Sequence, residues 1–152
     1  MISKAGKSDA EALTALTIRS KSYWGYGKAQ IDKWLNELTI TKNYIQENEV
    51  FQLVEDEELV GFYAYAPENE SSVKLNYLFV CPNFIGKGYG QLLMEDFLHR
   101  IRKTTFRRIT LDADPNAETF YLKQGFQVIG KLESSIQNRF LPIMVKEVAI
   151  DG

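Results

Sequence analysis

Three glycines at alternate positions, Gly86, Gly88 and Gly90, stand between an apolar run, Phe79-Val80-Cys81, and a segment with apolar residues at helical spacing. Glycine turns the backbone through conformations closed to other residues and leaves its N–H groups uncovered. The first N–H groups of a helix have no intrahelical acceptor, and the helix dipole adds positive potential there. A glycine loop running into a helix is therefore an anion site suited to a phosphate. One glycine could serve only a tight strand-to-helix turn. Three at alternate positions, with no polar cap side chain, fit phosphate binding better. A second segment, from Asn116 through Phe120-Tyr121 to Gly125-Phe126, adds an amide, a phenol and a glycine-terminated helix. Together the two segments point to an enzyme that holds a phosphate-bearing cofactor.

The elements that must position these residues can be read along the chain. Residues 1 to about 5 read as a short first strand. Ser8-Asp9-Ala10-Glu11 has capping-box spacing and is expected to open a helix to about Ser22. Ala12, Leu13, Leu16 and Arg19 follow its stripe, with Ile18 beside it. Tyr23-Trp24-Gly25-Tyr26-Gly27 breaks the helix. A second helical region, about Lys28 to Glu47, is interrupted near Thr39-Ile40-Thr41. Val50 to Glu55 and Leu59 to Ala66 flank Asp56-Glu57-Glu58 as a hairpin, and Val73 to Val80 is a further strand. Gly88 to Lys103 carries Leu92, Leu93, Phe97, Leu98 and Ile101 at helical spacing. Arg107 to Asp112 is a short strand. Asp114-Pro115 supplies an N-cap and a first-turn proline to a helix ending at Gly125, a C′ glycine. Phe126 to Glu133 and Phe140 to Val148 close the chain as two strands. The order β-α-α-β-β-β-α-β-α-β-β predicts a mixed α/β fold with one central sheet. Residues 1–152, without repeat or linker, are expected to form a single domain.

Several glycine motifs precede helices. A dinucleotide fingerprint, G-x-G-x-x-G, would require glycine at Gln91 or Leu93, and a Walker A loop would require Ser or Thr at Gly88. Both fail. The alternating glycines resemble the GNAT family of acetyl-coenzyme A-dependent N-acetyltransferases, whose signature is Arg or Gln, two residues, Gly, one residue, then Gly or Ala. Ile85-Gly86-Lys87-Gly88-Tyr89-Gly90 occupies that signature, with Ile85 in place of Arg or Gln. The change removes a side chain but no backbone donor. Asn116, Phe120-Tyr121 and Gly125-Phe126 match the family's second segment in register. The specific motifs lie within residues 76–126, while the element order agrees over almost the whole chain.

The resemblance implies acetyl-coenzyme A as cofactor and a mixed, mostly antiparallel sheet flanked by helices on both faces. It places the pyrophosphate on Ile85, Gly86, Lys87, Gly88, Tyr89, Gly90 and Gln91. In this family the strand before the loop splays from its neighbour, so the pantetheine arm would follow the backbone of Leu78, Phe79 and Val80. Their side chains, with Leu75, read as core. A main-chain N–H near Val80 would serve the developing oxyanion. Asn116 would bond the pantetheine amide, and Phe120, Tyr121 and Lys123 complete the cofactor set. Tyr121 matches the family tyrosine that protonates the departing thiolate. A tyrosine pKa of about 10 against about 8.5 for a thiol keeps it protonated at neutral pH.

The general base is not fixed by the sequence. Some relatives carry an acidic residue where this chain has Asn76, and an amide cannot take a proton. Water held by backbone carbonyls, Glu55, Glu58 and Asp112 remain alternatives. Cys81 has no activating histidine nearby and reads as a packed thiol; His99 reads as a surface residue. The resemblance places Trp24 and Tyr26 where the family's fold covers the acceptor, and counts Asn76 with them on the substrate side. They could enclose an amine or pack a loop onto the core. Arg139, in the connection 134–142, could meet a substrate carboxylate or solvent.

A net charge of −2 offers no case for nucleic-acid binding. No apolar run approaches membrane-spanning length, and Met1-Ile2-Ser3-Lys4 lacks the apolar stretch of a secretory signal. One cysteine excludes an internal disulfide, and one histidine makes a zinc site of His and Cys ligands unexpected. The expectation is a cytoplasmic, metal-free enzyme acting on a small-molecule or protein amine, with a homodimer left open. The alternative is a GNAT-fold sensor that binds acetyl-coenzyme A without turnover.

Overall fold

The computed structural model describes residues 1–134, 136 and 139–149. Among them lie seven strands and six α-helices: β1 (Ile2–Lys4), α1 (Ala10–Tyr23), α2 (Lys28–Lys33), α3 (Leu35–Leu38), α4 (Lys42–Glu47), β2 (Glu49–Glu55), β3 (Glu58–Pro67), β4 (Ser72–Val80), α5 (Tyr89–Arg102), β5 (Arg108–Asp112), α6 (Glu118–Lys123), β6 (Gln127–Glu133) and β7 (Phe140–Glu147). The strands form one open mixed sheet in the order β1-β2-β3-β4-β5-β7-β6, flanked by helices. Strand β4 pairs in parallel with β5 through Ser72, Val73 and Lys74. The β1–β2, β2–β3, β5–β7 and β6–β7 pairs are antiparallel. The expected mixed sheet is thus observed.

The chain divides into two compact units, Met1–Tyr65 with Tyr77–Asp96, and Ala66–Asn76 with the chain from Phe97 on. In the first, Leu13, Leu16, Ile40, Ile45, Val50, Phe62, Ala64 and Cys81 form a buried cluster. Tyr77, Phe79 and Phe84 pack against it, half-buried. In the second, Ile109 and Leu111 of β5, Phe126, and Met144 of β7 are buried.

Helix α1 starts later than the capping-box spacing predicts. A single 3-10 turn, Lys7–Asp9, precedes it. The Asp9 carboxylate accepts from the Gly6 N–H at 2.8 Å and from Gln52 Nε2 at 3.2 Å, so it closes that turn instead of opening the helix at Ser8. The buried face is Ala10, Leu13, Leu16, Thr17 and Ser20, while Ala12 and Arg19 are exposed. Leu13 and Leu16 set that face, and i+3/i+4 spacing carries it to Thr17 and Ser20. The predicted break near Thr39 is present. Thr14 Oγ1 accepts from the Ile40 N–H at 2.9 Å, and Thr41 Oγ1 caps α4 by accepting from the Tyr44 N–H at 3.0 Å. The β2–β3 turn uses Asp56 and Glu57, both at positive φ, as a two-residue hairpin of the twist-matched kind requires.

Candidate functional site

The glycine loop is built for backbone exposure. Gly86 and Gly88 have φ of +82° and +84°, and a Cβ at either would meet nothing within 4 Å. Conformation, not packing, therefore demands glycine there. Gly90 lies inside the first turn of α5 and needs no such conformation. The first intrahelical bond runs from the Leu92 N–H to the Gly88 carbonyl at 3.1 Å. The N–H groups of Tyr89 and Gly90 thus fall in the turn that precedes the helix's own hydrogen-bond ladder. A 3-10 turn, Pro82–Phe84, leads into the loop. The Phe84 ring packs edge-on against Tyr89 at 5.9 Å, and Lys87 Nζ lies 5.6 Å from the Phe84 centroid. Ile85 is 40% exposed at the loop's entrance. Gln91 Nε2 donates to Glu95 one turn on, at 3.1 Å.

Leu78, Phe79 and Val80 end β4 half-buried, so the core reading holds only in part for their side chains. Two contacts fix their backbone. A Cβ at Gly61 would stand 2.6 Å from the Phe79 carbonyl oxygen, so β3 approaches at a distance only glycine permits. Ser20 Oγ donates to the Val80 carbonyl at 2.8 Å, tying α1 to the strand end. Sequence reasoning passed over both residues; a lone glycine inside a strand pattern was the available signal for Gly61. Tyr26 packs edge-on against Trp34 at 4.9 Å, and Trp24 is exposed against Tyr23.

The second unit holds Asn76, Asn116, Phe120, Tyr121, Lys123 and Arg139. Asn76 and Lys123 are exposed. The Gly125-Phe126 pair terminates α6 and places Tyr121. Gly125, at φ +91°, donates its N–H to the Leu122 carbonyl at 3.1 Å, and the Phe126 N–H reaches the Tyr121 carbonyl at 3.1 Å. This is the Schellman arrangement, with its apolar contact supplied by the Tyr121 and Phe126 rings at 5.7 Å. Phe120 contributes a second edge-on contact at 5.3 Å. Tyr121 is 8% exposed, and burial pushes its phenol well above the ordinary tyrosine range, with the Asp114 carboxylate adding to the shift. Asp114 Oδ1 accepts from the Asn116 backbone N–H and from Asn116 Nδ2, each at 2.9 Å, while Oδ2 pairs with Arg139 at 3.1 Å. Arg139 also donates to Ser134 Oγ at 2.7 Å.

Among the proton-acceptor candidates, Glu55 pairs with the Met1 amino group at 3.0 Å and Asp112 with Lys74 at 2.9 Å. Glu58 is exposed in the hairpin, and Cys81 is buried. No cluster of three or more His, Cys, Asp or Glu placed to hold a metal occurs among the described residues. Nor, among them, is any helix long and apolar enough to cross a membrane.

Residues 14–147 match the family model described as the acetyltransferase (GNAT) domain. An uncharacterised N-acetyltransferase, ycf52, of Porphyra purpurea is 32% identical over 68 residues, which is 45% of this chain and 39% of that protein. The matched stretch thus spans well under half of that relative. The chain is similar in structure to the PaiA N-acetyltransferase of Thermoplasma acidophilum, solved in complex with coenzyme A, with a TM-score of 0.79 and 20% identity over 97% of this chain and 98% of that one. It is also similar to the ribosomal-protein-S18-alanine N-acetyltransferase of Escherichia coli, with a TM-score of 0.74 and 16% identity over 100% and 96% of the two chains.

Proposed function

Because the chain belongs to the GNAT acetyltransferase family, we propose that it moves an acetyl group from acetyl-coenzyme A to a primary amine, of a small molecule or a protein, by direct attack in a ternary complex. The observation that carries this reading is the open glycine loop, with Gly86 and Gly88 at positive φ leading directly into the first turn of α5. The backbone of residues 85–91 would hold the pyrophosphate and that of Leu78–Val80 the pantetheine arm. Bound acetyl-coenzyme A supplies the activated acyl thioester. A main-chain N–H at the end of β4 stabilises negative charge on the acyl oxygen. Tyr121 would supply its Oη proton to the thiolate sulfur that leaves as the amine nitrogen takes the acyl carbon. The ammonium proton leaves to water, and Tyr121 is reprotonated from solvent. Asn116, held by Asp114, would orient the arm. In this reading residues 1–152 work as one acetyltransferase domain in the cytoplasm.

The test is thiol release from acetyl-coenzyme A across an amine panel, with calorimetry of coenzyme A, ATP and NAD. Turnover with any amine, lost in Tyr121→Phe with coenzyme A binding retained, supports the enzyme. Tight coenzyme A binding without turnover of any amine supports the sensor alternative, which the exposed Asn76 amide favours. Equal binding of ATP, NAD and coenzyme A would sink both.

A further inference from the structure

Lys21, near the end of α1, holds its ammonium about equally far from three aromatic rings. Nζ lies 6.0 Å from the Tyr26 centroid, 5.8 Å from Trp34 and 5.9 Å from Phe79. Each ring offers a negative face to a cation within about 6 Å, and three around one charge make a cage of the kind that recognises ammonium groups. The rings come from three separate elements: the break after α1, the end of α2 and strand β4. The Tyr26 and Trp34 rings meet edge-on at 4.9 Å, so the two walls support each other. The neighbouring residue, Ser20, donates to the Val80 carbonyl at 2.8 Å. The cage therefore stands at the strand end assigned above to the acyl group. Gly25 and Gly27 flank Tyr26, and a Cβ at either would meet nothing within 4 Å.

We infer that Tyr26, Trp34 and Phe79 form the acceptor's ammonium subsite, that Lys21 occupies it in the unliganded protein, and that the acceptor is a flexible aliphatic diamine. The inference rests on the acetyltransferase reading and deepens it. The Lys21 side chain is itself a primary amine on a four-carbon stem, so the cage already holds the chemical group it selects. Attack requires a neutral nitrogen, whereas the cage retains a charged one. A single amino group cannot be both at once. A diamine can, with one end cationic in the cage and the other deprotonated at the acyl carbon. The second ammonium displaces that of Lys21.

The experiment is calorimetric titration with 1,5-diaminopentane and its neutral isostere 1,5-pentanediol, in the wild type, Lys21→Met and Tyr26→Leu. The diamine is expected to bind and the diol not to. Removing the internal competitor in Lys21→Met is expected to tighten the diamine about fivefold, and removing a cage wall in Tyr26→Leu to weaken it about fivefold. Coenzyme A titration of each variant reports whether it is folded. Equal binding of diol and diamine, no diamine binding at all, or diamine binding in Lys21→Met no tighter than in the wild type overturns the inference. None of these readouts requires turnover. A chain that binds diamine but fails to transfer acetyl sinks the acetyltransferase reading and leaves the cage standing, and the reverse result sinks the cage alone.

Discussion

The Asp114 carboxylate and the Arg139 guanidinium meet at 3.1 Å with side chains only 9% and 15% exposed. The pair ties the β6–β7 connection to the turn before α6, where Asp114 also holds Asn116 through two bonds. Arg139 thus already serves an internal carboxylate. Removing one partner of a largely buried pair leaves the other charge uncompensated. Arg139→Met is expected to cost about 3–5 kcal/mol of stability. Asp114→Asn with Arg139→Met should recover a good part of that loss. Urea unfolding of the two singles and the double gives the coupling, and additive losses would mean that the pair is inert.

Tyr121→Phe tests the acid directly. Its phenol is pushed above the ordinary range, chiefly by burial and then by Asp114, so it stays protonated through neutral pH. Loss of kcat by about a hundredfold, with coenzyme A affinity unchanged, is expected of a lost general acid. The same shift fixes a stability effect. Below about pH 10 both folded and unfolded phenols are neutral, so the shift costs nothing. Above it the unfolded phenol ionises first, so stability falls as pH rises. Tyr77, raised by burial and by Glu37, acts in the same direction. Tyr121→Phe should therefore show a shallower alkaline decline in stability between pH 9 and about 12 than the wild type. An identical decline would place Tyr121's proton in an ordinary environment.

Glycine substitutions separate conformation from packing. At Gly86 and Gly88 an added Cβ has open space but sits at positive φ, costing about 1–2 kcal/mol of strain. Because that strain falls on the loop assigned to pyrophosphate, Gly88→Ala should weaken coenzyme A about tenfold or more besides costing about 1–2 kcal/mol of stability. Gly61→Ala acts through packing instead. Its Cβ would meet the Phe79 carbonyl at 2.6 Å and Leu93 Cδ1 at 2.9 Å, so β4 must shift, at a cost of about 1–3 kcal/mol. Thermal denaturation beside coenzyme A titration checks both: each variant is expected to lose stability, and Gly61→Ala to weaken coenzyme A as well, because the Phe79 backbone that must shift is the one assigned to the pantetheine arm.

The parts of this chain legible in its sequence are those governed by local chemistry. Asp114-Pro115 announced a cap, and the Asp114 carboxylate does accept from the Asn116 N–H. Gly125 announced a C′ position and has the required positive φ. The loop glycines announced exposed backbone. The parts that stayed hidden depend on residues distant in sequence. Ser8-Asp9-Ala10-Glu11 had the spacing of a capping box, but Asp9 is drawn to Gly6 and to Gln52 of β2, which delays the helix. Arg139 carried no mark of its partner because Asp114 lies 25 residues away. Nothing local marks Trp34 either, because only the fold sets the Lys21 ammonium beside its ring. Local propensity places elements within a residue or two, while tertiary contacts decide which side chains share a site.

Ile85 departs from the family signature, and its place in the structure makes the departure testable. It stands 40% exposed at the entrance of the loop, with a 3-10 turn behind it and Gly86 ahead. An arginine there has room to extend without displacing core. If backbone donors already hold the pyrophosphate, as Gly86 and Gly88 suggest, a guanidinium adds only a partly solvated charge contact. Exposed charge pairs contribute about 0.2–1 kcal/mol, so Ile85→Arg should tighten coenzyme A by about 1.4-fold to fivefold. Screening should shrink the gain, since the Debye length falls from about 10 Å at 0.1 M salt to about 3 Å at 1 M. Titration at both ionic strengths checks this. A gain of a hundredfold would mean that the backbone cradle is incomplete in this chain, and no gain at low salt would place the pyrophosphate elsewhere.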